Sequence, residues 1–458
     1  MNNYSREWVR LPQVEQFLQL ACIQPYIALL SRPLVTQIVR EHFKTVRHDK
    51  NRQHSGHQWL EADVCRLLSQ RLHVRQSRVI NATGTIIHTN LGRSPISSKL
   101  WQQVSDVNTH YSNLELALNT GKRGQRKGLV AELLGLLTGA DDSLVVNNNA
   151  CSVYLIILAL AQGKEVIVSR GEQIQIGGGF RIPDILAMSG AKLVEVGTTN
   201  VTTCDDYINA ITENTAMVLL VHQSNFVIRG FTESVDIRQL KAKLPANVIL
   251  AVDQGSGVST ESFCPQEKAI GRYIQYGADL VCFSGDKILG GPQAGIVCGR
   301  NDLIKVLEKN PMMRAFRPGR IILSLLEALL IEKLNQHEAG KGISETLLER
   351  LPLTKALAEK LASHLPNKAE VITLTAVVGG GTLPDCDYPC YGVAISGEAK
   401  RISEQFRACS VPVIGVISHG RFILNLAGVT EDDFEILLKQ FCILFPAQKP
   451  EIKWVATK

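Results

Sequence analysis

The sequence predicts an α/β protein: a large domain on a mainly parallel sheet, preceded by a helical N-terminal domain and followed by a small α+β C-terminal domain. Three observations carry this expectation. After Arg78, short β-branched runs alternate with helical segments, the pattern of repeated βαβ units. Before that point, apolar residues recur at three- and four-residue spacing, which is helical periodicity. The chain's 458 residues also exceed what a single hydrophobic core organises.

The elements follow in order. LPQVEQFLQLACI, PLVTQIVREHFKTV and WLEADVCRLLSQRL each read as amphipathic helices. In this part Arg40, Lys44, Arg47, Lys50, Arg52, Arg66, Arg71, Arg75 and Arg78 outnumber Glu41, Asp49, Glu61 and Asp63. A solvated helical cap and a surface that touches nucleic-acid phosphates both account for that balance. Strands are expected in SLVVNN, EVIVSRG, AKLVEVG, AMVLLVHQ, ANVILAVDQG and ADLVCFSG, with a helix in ACSVYLIILALAQG. A parallel sheet places working residues on loops at the carboxyl ends of its strands, and nearly all of these runs end in polar or glycine residues. IILSLLEALLIEKLN, between Arg320 and Asn335, reads as a long apolar helix bridging two domains. From Leu351 onward, LTKALAEKLASHL, VITLTAVVGGG, YGVAISG, ISEQFRAC, FILNLAG and DDFEILLKQF mix helix and strand. The expected domains are residues 1–75, 76–335 and 336–458.

Composition narrows the function classes. The chain is 45% hydrophobic and 20% charged, as ordinary folded proteins are. Forty-nine Lys and Arg against 43 Asp and Glu leave +6, too little for net charge alone to indicate a nucleic-acid partner. The N-terminus lacks the basic, apolar and small-residue succession of a secretory signal, so the 11 cysteines are expected to be reduced thiols in the cytoplasm. The longest apolar stretch, Val153 to Ala161, falls far short of the ~20 residues that cross a bilayer, and no membrane role is expected. Cys386 and Cys390 have a metal-like spacing but no matching second pair, so no metal site is expected.

Four groups of residues can carry chemistry. Lys287, in SGDKILGGPQAG, follows a strand and is flanked by Gly285, Gly290 and Gly291. Glycines admit a close-fitting ligand, and burial would favour a neutral, nucleophilic amine, which makes Lys287 a candidate for a Schiff base with pyridoxal phosphate; a surface turn is the bland alternative. Asp253 ends the strand NVILAVD and could hold that cofactor's pyridine nitrogen protonated, or simply cap a turn. Asn148, Asn149, Ala150 and Cys151 open a helix, where backbone amides favour a phosphate but asparagine also caps; Ser284 could add a hydroxyl. Arg93, Arg123, Arg126, Arg314 and Arg317 stand in turn-like settings suited to binding oxyanions. Asp286 neighbours the lysine, and His222 ends a strand where it could line the same pocket.

With these residues assembled, the chain resembles the bacterial selenocysteine synthases, the L-seryl-tRNA(Sec) selenium transferases. The matching stretches are VINATGTIIHTNLGRSPIS, LVVNNNACSV, EVIVSRGEQIQIGGGFRIPD, GAKLVEVGTTN, DQGSG, FSGDKILGGPQAGIV and GRFILNL, with weaker similarity in LPQVEQFL. The resemblance implies a fold-type-I pyridoxal-phosphate transferase whose N-terminal domain engages tRNA(Sec) and whose subunits form a homodecamer, a pentamer of dimers. It further implies that seryl-tRNA(Sec) becomes selenocysteinyl-tRNA(Sec) through an aminoacrylyl intermediate, with selenophosphate as donor. Lys287 matches the cofactor lysine, Asp253 the carboxylate at the pyridine nitrogen, and Arg93, Arg314 and Arg317 the arginines that hold the donor's phosphate. Asp286 joins the catalytic set on this view; Asn148, Asn149, Ala150, Cys151, Ser284, His222 and Arg123 join the cofactor-binding set.

The chain departs from the family pattern at Gln223, Gln254, Asn425, the RPGR of Arg317 to Arg320, and a stretch from Gly257 to Pro265 that looks shortened. Two alternatives therefore stay open: a divergent pyridoxal-phosphate lyase acting on a small phosphorylated amino compound, and a nonenzymatic tRNA-binding paralogue.

Overall fold

The structure is a computed structural model that describes residues 11–48, 56–176, 179–223, 225–261, 267–365 and 368–446. Asp49, Lys50, Arg52 and Pro265 lie outside the described residues. The chain divides into two compact units, Met1–Arg78 and Val79–Lys458.

The first unit is helical: α1 (Val14–Leu18), α2 (Gln24–Leu30), α3 (Arg32–His48) and α4 (Gly56–Leu72). Pro33 sits in the first turn of α3, where its missing N–H costs nothing. Val35, Ile38, Val39, His42, Phe43 and Val46 form the buried stripe of α3 at the three- and four-residue spacing expected of one helix face. They pack with Phe17, Leu18, Ile23, Leu60, Val64 and Leu68, and Phe17 meets Phe43 edge-on with ring centroids 5.2 Å apart. The other side of α3 exposes Arg40, Lys44 and Arg47.

The second unit centres on seven strands: β1 (Asp142–Val146), β2 (Glu165–Ser169), β3 (Lys192–Val196), β4 (Thr215–Val221), β5 (Ile249–Gly255), β6 (Leu280–Ser284) and β7 (Gly295–Gly299). Their order across the sheet is β1-β7-β6-β5-β4-β2-β3. Pairings from β6 through β3 are parallel, whereas β7 runs antiparallel to both β6 and β1. Val166, Val168, Met217, Leu219, Ala251, Cys282 and Val297 face one core, and Ile167, Val218, Leu220, Val252, Val281, Phe283 and Ile296 face another. Both faces are covered, and the strands accordingly read as continuous apolar runs rather than alternating ones. Helix α5 (Asn149–Ala161) supplies Val153, Ile156 and Ile157 to the first core, and α6 (Arg320–Leu334) supplies Leu326, Leu329 and Leu330 to the second.

Four further strands, Ala369–Val377, Asp387–Ile395, Val416–Ser418 and Arg421–Asn425, form an antiparallel sheet over a core that includes Phe406, Phe422, Leu437 and Phe441. Ile80–Asn81 pairs in parallel with Val413–Ile414, and Ile80 and Ala82 share that core. The start of the second unit thus packs with its C-terminal layer. Asn425, one of the departures, is a structural fastener here: its Nδ2 donates to the Thr375 carbonyl at 3.0 Å and its Oδ1 accepts from the Ala427 amide at 3.0 Å.

Candidate active site

Three adjacent strands, β4, β5 and β6, end side by side and build the site. Past Ser284, the chain turns through Gly285, Asp286 and Lys287. The turn is closed by hydrogen bonds from the Gly290 amide to the Lys287 carbonyl (3.1 Å) and from the Gly291 amide to the Gly285 carbonyl (2.8 Å). The Ile288 amide donates across to the Ser256 carbonyl at 3.0 Å, fastening the lysine loop to the end of β5. Lys287 is 6% exposed and Asp253 4%.

Asp253 is held from two sides. Asn149 donates from Nδ2 to its Oδ1 at 2.8 Å, and the register of β5 with β6 sets Cys282 opposite it, with Sγ 3.7 Å from the same oxygen. The consecutive asparagines divide the work. Asn148 caps α5 by accepting from the Cys151 amide at 3.0 Å, as helix starts require, while Asn149 in the first turn reaches the carboxylate. Ala150 and Cys151 lie in that same first turn, and Ser284 is buried at the end of β6.

Electrostatics favour neutral forms. Burial pushes the Lys287 ammonium below its usual range and the nearby Arg93 cation pushes the same way, against Asp253, Asp286 and Glu267. Burial lifts the Asp253 carboxyl, against the Asn149 hydrogen bond and the Lys287 charge. A cationic ring nitrogen placed at Asp253 would return it to the ionised form. Arg93, in the left-handed region at φ 63°, donates from Nη1 to Asp286 Oδ2 at 2.8 Å, and the Ser94 amide donates to the Asp286 carbonyl at 3.2 Å. The residue preceding the lysine is thereby clamped. His222 donates its backbone N–H to the Asp253 carbonyl at 2.9 Å, and burial with the Lys268 and Lys287 charges lowers its imidazole to about 4.

The other arginines form a second group. Arg126, Arg314 and Arg317 line a cavity of about 480 Å³. Glu115 accepts from Arg126 at 2.6 Å and from the exposed Arg123 at 3.5 Å, and it pairs with Arg317 at 3.7 Å; the Arg126 hydrogen bond, foremost, holds its carboxyl below the usual range. Among the described residues, Arg123, Arg314 and Arg317 make no ion pair with Asp253 or Asp286. Lys287, Asp286, Arg93, Asp253, Asn149, Ser284 and His222 are therefore brought together, whereas Arg314 and Arg317 line the second cavity, on a segment bonded to Asn147 beside the α5 cap, and Arg123 bonds Glu115.

Sequence reasoning missed two acids, the buried Glu267 and the half-buried Glu172. Glu267 is bonded by the Ser256 hydroxyl and, at 3.0 Å, by Gln254 Nε2, and burial raises it to about 7. Glu172 accepts from the Val221 amide at 2.9 Å, and burial raises it to about 8. The departure Gln254 could have pointed to Glu267: its Oε1 accepts from the Gly257 amide at 2.8 Å, which turns its amide nitrogen toward the acid.

The donor set fits pyridoxal phosphate: a buried amine for the aldehyde, a buried carboxylate for the ring nitrogen, and beside it an Asn149 Oδ1 with no hydrogen-bond partner among the described residues. A seven-stranded sheet with this lysine past β6 and this aspartate on β5 defines a fold-type-I pyridoxal-phosphate enzyme. Among solved structures, D-glucosaminate-6-phosphate ammonia-lyase is similar in fold, with a TM-score of 0.57 at 20% identity over 81% of this chain and 96% of that one. Residues 79–430 match the family model for L-seryl-tRNA selenium transferase, and residues 10–43 match the model for the N terminal of selenocysteine synthase. The L-seryl-tRNA(Sec) selenium transferase of Campylobacter fetus is 38% identical over 94% of this chain and 97% of its own length. That of Desulfotalea psychrophila is 40% identical over 81% and 83%. The chain belongs to the L-seryl-tRNA selenium transferase family.

Proposed function

We propose that this protein converts seryl-tRNA(Sec) to selenocysteinyl-tRNA(Sec), with selenophosphate as the selenium donor. The observation that carries the proposal is the buried pair Lys287 and Asp253, at neighbouring strand ends, in a chain that matches its family on both sides of residue 78. Lys287 and Asp253 would hold pyridoxal phosphate, whose ring, when bound, disperses negative charge from the amino-acid α-carbon. Once released to act as a base, the Lys287 amine takes the α-proton, a task suited to an amine that burial biases toward its neutral form. Asp286, fixed by Arg93, keeps the lysine loop in place.

The seryl end is a small part of a large anion, so contacts far from Lys287 supply most of the binding. Residues 1–75 serve as the tRNA-contacting domain, with Arg40, Lys44 and Arg47 as its exposed cations; residues 76–335 carry the cofactor and residues 336–458 form the small domain. The match of residues 10–43 to a selenocysteine synthase N terminal favours this reading over a small-molecule lyase. The subunits assemble as a pentamer of dimers on this reading; the strongly exposed Tyr111, Leu118 and Leu136 support subunit contacts of some kind. Arg93, Arg314 and Arg317 would hold the donor's phosphate. Among the described residues no helix is long and apolar enough to cross a membrane, and the reaction is assigned to the cytoplasm.

The test supplies purified, cofactor-loaded protein with seryl-tRNA(Sec), with an ordinary seryl-tRNA, and with selenophosphate. Selenocysteinyl-tRNA(Sec) is the expected product. Loaded protein that forms none of it would refute the proposal.

A further inference from the structure

Glu267 has the build of a working group rather than a packing residue. It is 2% exposed, and its Oε1 is held by Ser256 and Gln254. Its Oε2 has no hydrogen-bond partner among the described residues. His222 Nδ1 lies 3.6 Å from Oε1 and is likewise unpartnered. Buried polar side-chain atoms normally have a hydrogen-bond partner; here Glu267 Oε2 and His222 Nδ1, on side chains that approach each other through Oε1, are both left open. Both residues line a cavity of about 370 Å³.

Two backbone hydrogen bonds tie this cavity wall to the site, one to the lysine loop and one to Asp253. Ser256, which holds Glu267, accepts at its carbonyl from Ile288, the residue after Lys287, and His222 donates its backbone N–H to the carbonyl of Asp253. The charged and titratable groups around the pair are Lys287, Lys268, Glu172, Tyr273, Asp385 and Cys386. Burial raises Glu267 to about 7 and lowers His222 to about 4, so near neutral pH a large share of the carboxyl still carries a proton while the imidazole is a neutral acceptor.

The proposed reaction needs a second proton carrier. Lys287 collects the proton from the α-carbon, while the β-oxygen must leave as water, since hydroxide is a poor leaving group. We propose that Glu267 and His222 are the proton-delivery pair for the departing seryl hydroxyl, Glu267 storing the proton and His222 passing it on. The carbon–oxygen bond breaks with its electron pair going to oxygen. That oxygen takes a proton from Nε2 of His222, Nδ1 takes the Glu267 proton, water departs and Glu267 is left as a carboxylate. A solvent proton then adds to Nε2 while Nδ1 returns its proton to Glu267, which restores both groups before the next turnover, and no oxidation or reduction occurs. His222 is the catalytic residue of the pair, and Glu267 acts through it.

The inference rests on the function proposed above and is tested by leaving-group dependence. Holoenzyme is given tRNA(Sec) esterified with serine or with β-chloroalanine, whose chloride departs without a proton. Glu267→Gln should slow release from the seryl substrate by about 100-fold, the lower end of general-acid contributions, and leave the chloroalanyl rate within about threefold, while His222→Asn should slow the seryl reaction at least about 100-fold more than the chloroalanyl one. In cofactor-free protein at pH 6, Glu267→Gln should also remove a carboxylic-acid carbonyl band from the infrared spectrum. Equal slowing of both substrates, no slowing of either, or an unchanged band would overturn the pair's role. Wild-type holoenzyme inert on both substrates would sink the functional reading, and the pair's role with it; active wild type with variants indifferent to the leaving group sinks the pair alone.

Discussion

Gly290 lies three residues beyond Lys287 at φ 82°, and a Cβ added there would fall well inside van der Waals contact with the Gly342 Cα. Gly290→Ala therefore has two costs. Holding an L-residue in left-handed backbone costs about 1–2 kcal/mol, and forcing a methyl into packed backbone costs about 1–3 kcal/mol more. Gly139, at φ 78° after the helix Val130–Thr138, has open space where its Cβ would point. Gly139→Ala isolates the backbone cost, so the difference between the two variants should be about 1–3 kcal/mol. Urea unfolding of the cofactor-free proteins measures this as a difference in midpoint at unchanged slope. Because the Gly290 amide bonds the Lys287 carbonyl, Gly290→Ala should also weaken cofactor uptake, whereas Gly139→Ala should not. Equal stabilities, or equal cofactor uptake, would refute the argument that close packing of this loop positions the lysine.

Three further outcomes are expected. Lys287→Ala should abolish the coloured, borohydride-reducible link to pyridoxal phosphate, read as loss of the reduced adduct by mass spectrometry; an adduct retained at the same site would contradict the assignment. Removing residues 1–75 should weaken tRNA(Sec) binding by at least tenfold, about 1.4 kcal/mol, with cofactor absorbance unchanged, and equal binding by the shortened protein would sink the proposed N-terminal role. Glu172, raised to about 8 from an ordinary 4.5, binds its proton more tightly folded than unfolded, so wild-type stability should fall as pH rises from about 4.5 to 8, on the order of 1.4 kcal/mol per unit of displacement. Glu172→Gln should flatten that decline in urea midpoints measured from pH 5 to pH 9, and an identical slope in both proteins would show that the carboxyl is ionised throughout.

What was legible in the sequence follows physical lines. Lys287, Asp253 and His222 stand where continuous apolar runs end in polar residues, and such ends mark the working edge of a parallel sheet. The helix cap at Asn148 was legible for the same local reason. Glu267 and Glu172 were not, because a single acid in a polar stretch carries no periodicity. Their burial depends on partners across the fold: Val221 for Glu172, and Ser256 and Gln254 for Glu267. Strand β7 was also missed, since GIVCG is short and bounded by glycines, and only its pairing with both neighbours makes it a strand. The arginines were read as candidate oxyanion binders, and their distribution into two groups, one at Asp286 and one at Glu115, is a property of topology that no spacing encodes.

That topology also explains how Asn149 reaches Asp253. Asn149 follows β1, Asp253 is on β5, and β7 and β6 lie between them in the sheet. For α5 to begin over the strand ends, its first turn must come down onto β7. Gly295, the first residue of β7, faces the Asn148 carbonyl so closely that any Cβ would collide with it and with the Ser152 hydroxyl. The missing side chain lowers the helix start onto the sheet, and the Asn149 amide then spans the remaining gap to the carboxylate at 2.8 Å. A glycine in a strand ordinarily weakens it. Here the antiparallel pairing of β7 on both sides offsets that loss, and the position is one where even alanine should displace α5 and release the carboxylate from its amide partner.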